Sequence, residues 1–133
     1  MLAIGLTPFF LLLILSIVAP MISECSCGNR IIRRYRSPDD QYEIVLFQRD
    51  CGATTGYSTQ SSILKAEKDL PGRKGNIFIA DDGDRYMPLA SDGSLVDIKW
   101  ISKDKVFIKY PKDFRVFLNK KIYKDISIEY EAQ

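Results

Sequence analysis

The residues best suited to chemistry lie around the cysteine at position 51, within residues 49–56. A cysteine becomes a nucleophile or redox group when a nearby positive charge or a helix N-terminus lowers its pKa. Arg49 supplies such a charge, but Asp50 opposes it. The chain contains no histidine, which excludes Cys-His and Ser-His-Asp catalysis and every histidine metal site. A thiol-dependent redox enzyme using Cys51 is therefore kept only as an alternative interpretation.

The same segment also has the composition of a shaped loop that displays side chains. Gly52 and Gly56 permit positive φ, and the threonine hydroxyls can bond exposed backbone groups. Loops that follow a rigid strand often carry binding residues. We therefore predict a candidate binding loop with these contact residues: Arg49, Asp50, Thr54, Thr55 and Tyr57.

Two other segments carry residues that could hold an ion. Residues 81–84 read Asp-Asp-Gly-Asp, but the chain lacks the bidentate glutamate that ends a calcium-binding loop. Residues 72–75 read Gly-Arg-Lys-Gly and lack the spacing of a phosphate-binding loop, so we predict a mobile loop tip. The sequence predicts no metal site and no cofactor.

The three cysteines, Cys25, Cys27 and Cys51, permit two interpretations. They are too few for a four-ligand zinc site in a chain without histidine. A Cys27–Cys51 disulfide would close a loop of about two dozen residues, worth about 3 kcal/mol in the chain-entropy model. It would require an oxidising compartment and leave Cys25 free or lipid-modified. The alternative is three unpaired thiols, and the residues leave both open.

The first 24 residues form a separate apolar segment whose first charged side chain is Glu24. A helix of about 20 residues crosses a bilayer core, so we predict a signal-anchor or transmembrane segment with membrane contact through residues 2–22. A proline after Ala19 disfavours signal cleavage there. Lipidation of Cys25 is the alternative, although Glu24 beside it departs from the lipoprotein pattern.

The charge pattern bears on orientation and on partners. Four arginines follow the apolar segment between positions 30 and 36, and the positive-inside rule would hold them in the cytoplasm. A disulfide would argue for the opposite side of the membrane. The net charge is only +2 with both signs interspersed, so we expect no nucleic-acid partner.

The elements that position these residues are β-strands. Residues 42–48 contain four apolar residues in a row, which predicts a central strand covered on both faces. Residues 95–101 and 105–110 alternate and predict a β-hairpin with Trp100 as a core anchor. We predict an all-β fold, a small antiparallel sandwich or rolled sheet of six to eight short strands preceded by one N-terminal hydrophobic helix. Residues 25–36 would be a juxtamembrane linker or first edge strand, and residues 37–133 a single β domain.

Four segments of the chain carry a resemblance: the Cys-Ser-Cys-Gly at 25–28, the Arg-Asp-Cys-Gly-Ala-Thr-Thr at 49–55, the strand at 75–80 and the hairpin around Trp100. Together they resemble a group of small uncharacterised bacterial proteins. Proteins of that group are exported or membrane-anchored and often lipoprotein-like. The resemblance implies location and architecture, and no reaction.

On this basis we expect a membrane-anchored domain in the bacterial cell envelope, outside the cytoplasm. Its role would be non-enzymatic binding of a protein or envelope partner. An inhibitor or immunity-type envelope protein is the first alternative, and the Cys51 enzyme is the second.

Overall fold

The computed structural model describes residues 27–52, 57–82 and 95–133. These residues form nine strands and contain no helix, which confirms the all-β prediction. The predicted N-terminal helix lies outside the described residues. The strands are β1 (Gly28–Arg36), β2 (Tyr42–Asp50), β3 (Tyr57–Lys65), β4 (Phe78–Asp81), β5 (Asp97–Ser102), β6 (Lys105–Tyr110), β7 (Arg115–Asn119), β8 (Ile122–Tyr123) and β9 (Ile126–Ala132).

The strands are arranged in two sheets. The first has the order β1-β2-β3-β4-β7 and the second the order β5-β6-β9-β8. The chain changes sheet after β4 and again around β7, so neither sheet is formed from one continuous stretch of sequence. Residues 28–36, expected to be a linker or an edge strand, form the edge strand β1, which pairs with β2.

Two details differ from the predicted antiparallel fold. Strands β6 and β9 run parallel, because the chain leaves the second sheet for β7 and re-enters it before β9. The described residues also hold nine strands instead of six to eight. The additional short strand, β8, has only two residues, which is too few to show an alternating pattern.

Both sheets contribute to one hydrophobic core. In strands, alternate residues face the same side, and the buried alternate positions of the two sheets meet between them. The first sheet supplies Ile44, Leu46, Ile63, Phe78 and Ala80, with Ile77 just before β4. The second sheet and its entry supply Val96, Ile98, Val106, Ile108, Ile126 and Ile128.

Two side chains reach from the second sheet to the first. Trp100 on β5 donates a 2.9 Å hydrogen bond from Nε1 to the backbone oxygen of Tyr35 on β1. The Tyr130 hydroxyl on β9 lies 3.1 Å from the backbone oxygen of Ile77. Trp100 is half-buried and packs against the core, in the role predicted for it.

Strand β2 is buried on both faces, as its apolar run predicts. Ile44 and Leu46 face the core, whereas Val45 and Phe47 are fully buried on the outer face of the first sheet. The connection between β3 and β4, residues 66–77, bonds to groups on this outer face. Gly75 donates to the side chain of Gln60 at 2.7 Å, on the strand beside Phe47. The loop whose tip was predicted to be mobile is thus bonded to the outer face of the central strands.

Candidate functional site

A disulfide between Cys27 and Cys51, one of the two interpretations that the sequence permits, is present and fastens one end of the first sheet. Cys27 and Cys51 are bonded, with their Cα atoms 3.9 Å apart and a sequence separation of 24. The bond lies just beyond the last paired positions of β1 and β2, where Gly28 faces Asp50. It closes the end of the domain at which residues 1–26 join the chain. The choice between a disulfide and three free thiols, which the residues left open, is thereby decided for these two cysteines.

Asp50, predicted to contact a partner, shapes the turn after β2. Its carboxylate accepts a 2.9 Å hydrogen bond from the backbone N–H of Gly52. Gly52 has a φ of 115°, a conformation that side chains with a Cβ rarely adopt. Asp50 and Gly52 together therefore set the direction in which the chain leaves β2.

Arg49 is also used inside the domain. It is half-buried on β2, and its guanidinium donates a 2.8 Å hydrogen bond to the side-chain oxygen of Asn29 on β1. The side-chain nitrogen of Asn29 in turn donates to the backbone oxygens of Pro71 at 3.0 Å and Arg73 at 2.9 Å. Arg49 thus supports the asparagine that holds the loop over the outer face.

Of the remaining predicted contact residues, one lies within the described residues and the others lie outside them. Tyr57 begins β3 opposite Asp50 and has 40% of its surface exposed. Thr54, Thr55 and the lipidation candidate Cys25 lie outside the described residues. The structure therefore brings Arg49, Asp50 and Tyr57 together at one end of the sheet, with Arg49 and Asp50 engaged in structural contacts.

The disulfide also bears on thiol chemistry. Only a thiolate attacks as a nucleophile, and the sulfur of Cys51 is covalently bonded to that of Cys27. A redox role for Cys51 would therefore have to proceed by exchange at this disulfide, with an external thiol as the attacking group.

Sequence reasoning missed the residues that hold the 66–77 loop. Asn76 donates from its side chain to the Ile63 oxygen at 2.9 Å and accepts from the Ile63 N–H at 2.8 Å, so it acts as an additional strand residue beside β3. At Gly75, a Cβ would lie 2.6 Å from the Ser61 oxygen. The predicted mobile tip, residues 72–75, is therefore fastened at both ends. The adjacent Gly75-Asn76 pair was the available signal, since both types are common where a backbone approaches closely.

A charged cluster lies at the other end of β1. Glu43 is 7% exposed, and its carboxylate accepts hydrogen bonds from Arg34 at 3.0 Å and from Arg36 at 3.1 Å. Burial alone would raise the pKa of Glu43, but the hydrogen bonds from Arg36 and Arg34 outweigh it and hold this pKa below its ordinary value. Arg34 and Arg36, two of the four arginines to which the positive-inside rule was applied, are thus bound to a buried carboxylate.

The acidic segment at residues 81–84, which was considered as a calcium-binding loop, begins with Asp81, and this residue forms an ion pair. Arg115 on β7 makes two hydrogen bonds to the Asp81 carboxylate, at 2.8 and 2.9 Å. Within residues 27–52, 57–82 and 95–133, no three Asp, Glu, Cys or His side chains are grouped closely enough to hold a metal ion. Residues 83 and 84 of this segment lie outside the described residues.

No family model, curated protein or solved structure matches this chain. Among the described residues, no helix is long and apolar enough to span a bilayer. The predicted anchor, residues 1–24, is not among them. The fold and the site define a two-sheet β domain with a disulfide at the end where the N-terminal segment joins it.

Proposed function

We propose that this protein is a membrane-anchored binding domain of the bacterial cell envelope, facing away from the cytoplasm. The observation that carries the proposal is the Cys27–Cys51 disulfide. Disulfides persist in oxidising compartments and are rare in the cytoplasm. The apolar residues 2–22 precede this bond and supply the anchor in the proposal. The resemblance to exported or lipoprotein-like bacterial proteins points the same way.

The proposed contact surface is the loop that begins after β2 and ends at Tyr57. Its root is stiffened by the disulfide at Cys51 and by the Asp50–Gly52 hydrogen bond. A loop on a rigid root loses less conformational entropy when it binds. Asp50 supports this loop and Arg49 is bonded to Asn29, so the proposed contacts are Thr54, Thr55 and Tyr57. This division of roles favours a protein or envelope partner over turnover of a small substrate.

The location is tested by the redox state of the cysteines in cells. The full-length protein is extracted from membranes under an alkylating agent, and its intact mass is measured before and after reduction. We expect Cys27 and Cys51 to resist alkylation until reductant is added. The same masses report whether residues 1–24 are retained and whether Cys25 carries lipid. Complete alkylation of all three cysteines without reductant would contradict an oxidising location.

The contact surface is tested by photo-crosslinking in living cells. A benzoylphenylalanine replaces Tyr57 in one strain and Ile101, on the second sheet, in the control strain. Both side chains are exposed, at 40% and 53%, so the two probes have similar access to solvent. We expect a discrete adduct from position 57 and none of the same mass from position 101. No adduct from position 57, or the same adduct from both, would contradict the proposed loop.

A further inference from the structure

The positive charge of this chain is concentrated on β1 and the loop that follows β3. Residues 28–36 and 66–76 carry seven Arg or Lys and two Asp or Glu, a net charge of +5 in a chain whose total is +2. Glu43, on β2, binds Arg34 and Arg36 at one end of this region. At the other end lie cations for which the described residues show no ion pair.

Three exposed cations lie near the disulfide end of β1. Arg30 donates to the side-chain oxygen of Gln48, a neutral group, at 3.1 Å. Arg73 and Lys74 follow at the tip of the loop, and both are exposed. Within the part of the chain that the structure describes, none of the three is in an ion pair. Their charge is therefore available to a partner.

The Asn29 side chain brings the loop tip beside β1. Its nitrogen donates to the backbone oxygens of Pro71 and Arg73, so the backbone of Arg73 lies 2.9 Å from a residue only two positions after Cys27. Asn29 is in turn bonded to Arg49 at 2.8 Å. The loop cations and Arg30 consequently lie at the end of the domain that residues 1–26 enter.

The length of the intervening chain fixes how far this end can lie from the apolar segment. Two residues, Cys25 and Ser26, lie between position 24 and Cys27, so the chain makes three steps of at most about 3.6 Å each. The gap is therefore at most about 11 Å, close to the Debye length of about 8 Å at physiological salt. The exposed cations beside this end of the domain can therefore approach a charged membrane surface closely enough to interact without full screening.

We propose that Arg30, Arg73 and Lys74 form a basic surface that binds the phosphates of anionic phospholipids in the membrane carrying the N-terminal segment. The inference rests on the proposed membrane anchor. The contact would fix the orientation of the domain relative to the bilayer, and with it the orientation of the loop after β2. Each Arg or Lys close to an anionic membrane surface raises the ratio of the lipid-bound to the unbound state by about fivefold. Arginine and lysine both suit this role, since headgroup phosphates accept their hydrogen bonds in many geometries.

The test measures amide hydrogen exchange of the full-length protein in nanodiscs. One set contains phosphatidylcholine alone, and the other contains phosphatidylcholine with phosphatidylglycerol. We expect exchange at residues 28–34 and 70–75 to slow by at least about fivefold with phosphatidylglycerol, and the effect to disappear at high salt. Equal exchange in both lipids would overturn the proposal. Protection by added polyglutamate, without protection by phosphatidylglycerol, would also overturn it and assign the surface to an acidic protein.

Matched variants test whether the lipid-dependent protection requires these three cations or only the total charge of the protein. Arg30→Gln, Arg73→Gln and Lys74→Gln together should abolish the lipid-dependent protection. Lys99→Gln, Lys103→Gln and Lys112→Gln remove the same number of exposed charges elsewhere and should leave it intact. If the first triple variant does not fold, Arg73→Gln with Lys74→Gln is used, and a partial loss is expected. Protection that survives removal of the loop cations would overturn the proposal.

Flotation distinguishes failure of this inference from failure of the anchor. An inserted anchor carries the protein upward with pure phosphatidylcholine vesicles at any salt concentration. If the protein floats but shows no lipid-dependent protection, the anchor stands and the basic surface is wrong. If it does not float, the anchor proposal fails. In that case, salt-sensitive flotation with phosphatidylglycerol vesicles, lost in the first triple variant, would still support the surface, and its absence would overturn it.

Discussion

Arg49 on β2 donates a 2.8 Å hydrogen bond to the side-chain oxygen of Asn29, which lies directly opposite it on β1. This contact orients the asparagine so that its nitrogen faces the backbone oxygens of Pro71 and Arg73. A residue predicted to contact a partner is thus part of a clamp that holds the β3–β4 loop against the sheet.

The clamp is tested by Asn29→Asp, which keeps an oxygen acceptor for Arg49 but removes both hydrogen bonds to the loop. The new carboxylate oxygen would face two backbone oxygens that then have no donor. We expect a loss of about 1–3 kcal/mol in the free energy of unfolding and faster amide exchange at residues 70–75. Asn119→Asp, at an exposed position of β7, is the control. Identical exchange of the loop in both variants would show that the clamp has no energetic role.

The disulfide is expected to stabilise the folded domain by restricting the unfolded chain. Replacing Cys27 and Cys51 by serine together should lower the free energy of unfolding by about 3 kcal/mol, as expected for a loop of this length. Urea titration of the full-length protein in detergent measures the difference. Cys25→Ser is the matched single change and should leave the urea midpoint unchanged, since Cys25 is not part of the bond. A double variant as stable as the wild type would refute the prediction.

Because Glu43 is a buried, hydrogen-bonded carboxylate, the free energy of unfolding should decrease at acidic pH. Its pKa is lower in the folded protein than in the unfolded chain. Its contribution is therefore fully present above the unfolded pKa of about 4.3 and is lost as the pH falls through the folded value. Glu43→Gln should cost about 1–3 kcal/mol at neutral pH and lose less stability than the wild type below about pH 4.

Glu131→Gln is the control for this pH dependence. It removes an exposed carboxylate whose ion pair with Lys109 spans 4.0 Å, and exposed pairs contribute at most about 1 kcal/mol. Urea titrations at several pH values compare the two variants with the wild type. Parallel pH profiles for Glu43→Gln and the wild type would contradict the assigned role of Glu43.

Two glycines of the loop give a matched test of how closely it packs on the sheet. A Cβ at Gly75 would lie 2.6 Å from the backbone oxygen of Ser61 and 2.8 Å from that of Phe78, whereas a Cβ at Gly72 would meet nothing within 4 Å. Gly75→Ala should therefore destabilise by about 1–3 kcal/mol, and Gly72→Ala should have little effect. Thermal unfolding monitored by circular dichroism measures both. Equal melting temperatures for the two variants would show that the loop can move away from the sheet at no cost.

The features of this fold that the sequence predicts are those set by residues close together in the chain. The alternation of residues 105–110 predicted β6 with the bounds that the structure has, and Ile98 faces Ile108 across the predicted hairpin. The apolar run at 42–48 predicted a strand buried on both faces. The residues left open whether Cys27 and Cys51 are bonded or are free thiols, and in the structure they are bonded.

The sequence by itself determined the all-β class, the central strand and the hairpin, because side-chain periodicity along a strand is a local property. The tertiary structure alone decided that β6 and β9 run parallel, that residues 66–77 bond to the outer face of the first sheet, and that Arg49 serves the clamp. These features depend on groups far apart in the chain: Asn29 bonds to carbonyls 42 and 44 residues away. No local pattern encodes such a contact, since an asparagine that caps a turn and one that holds a distant loop have the same chemistry until the fold brings their partners together.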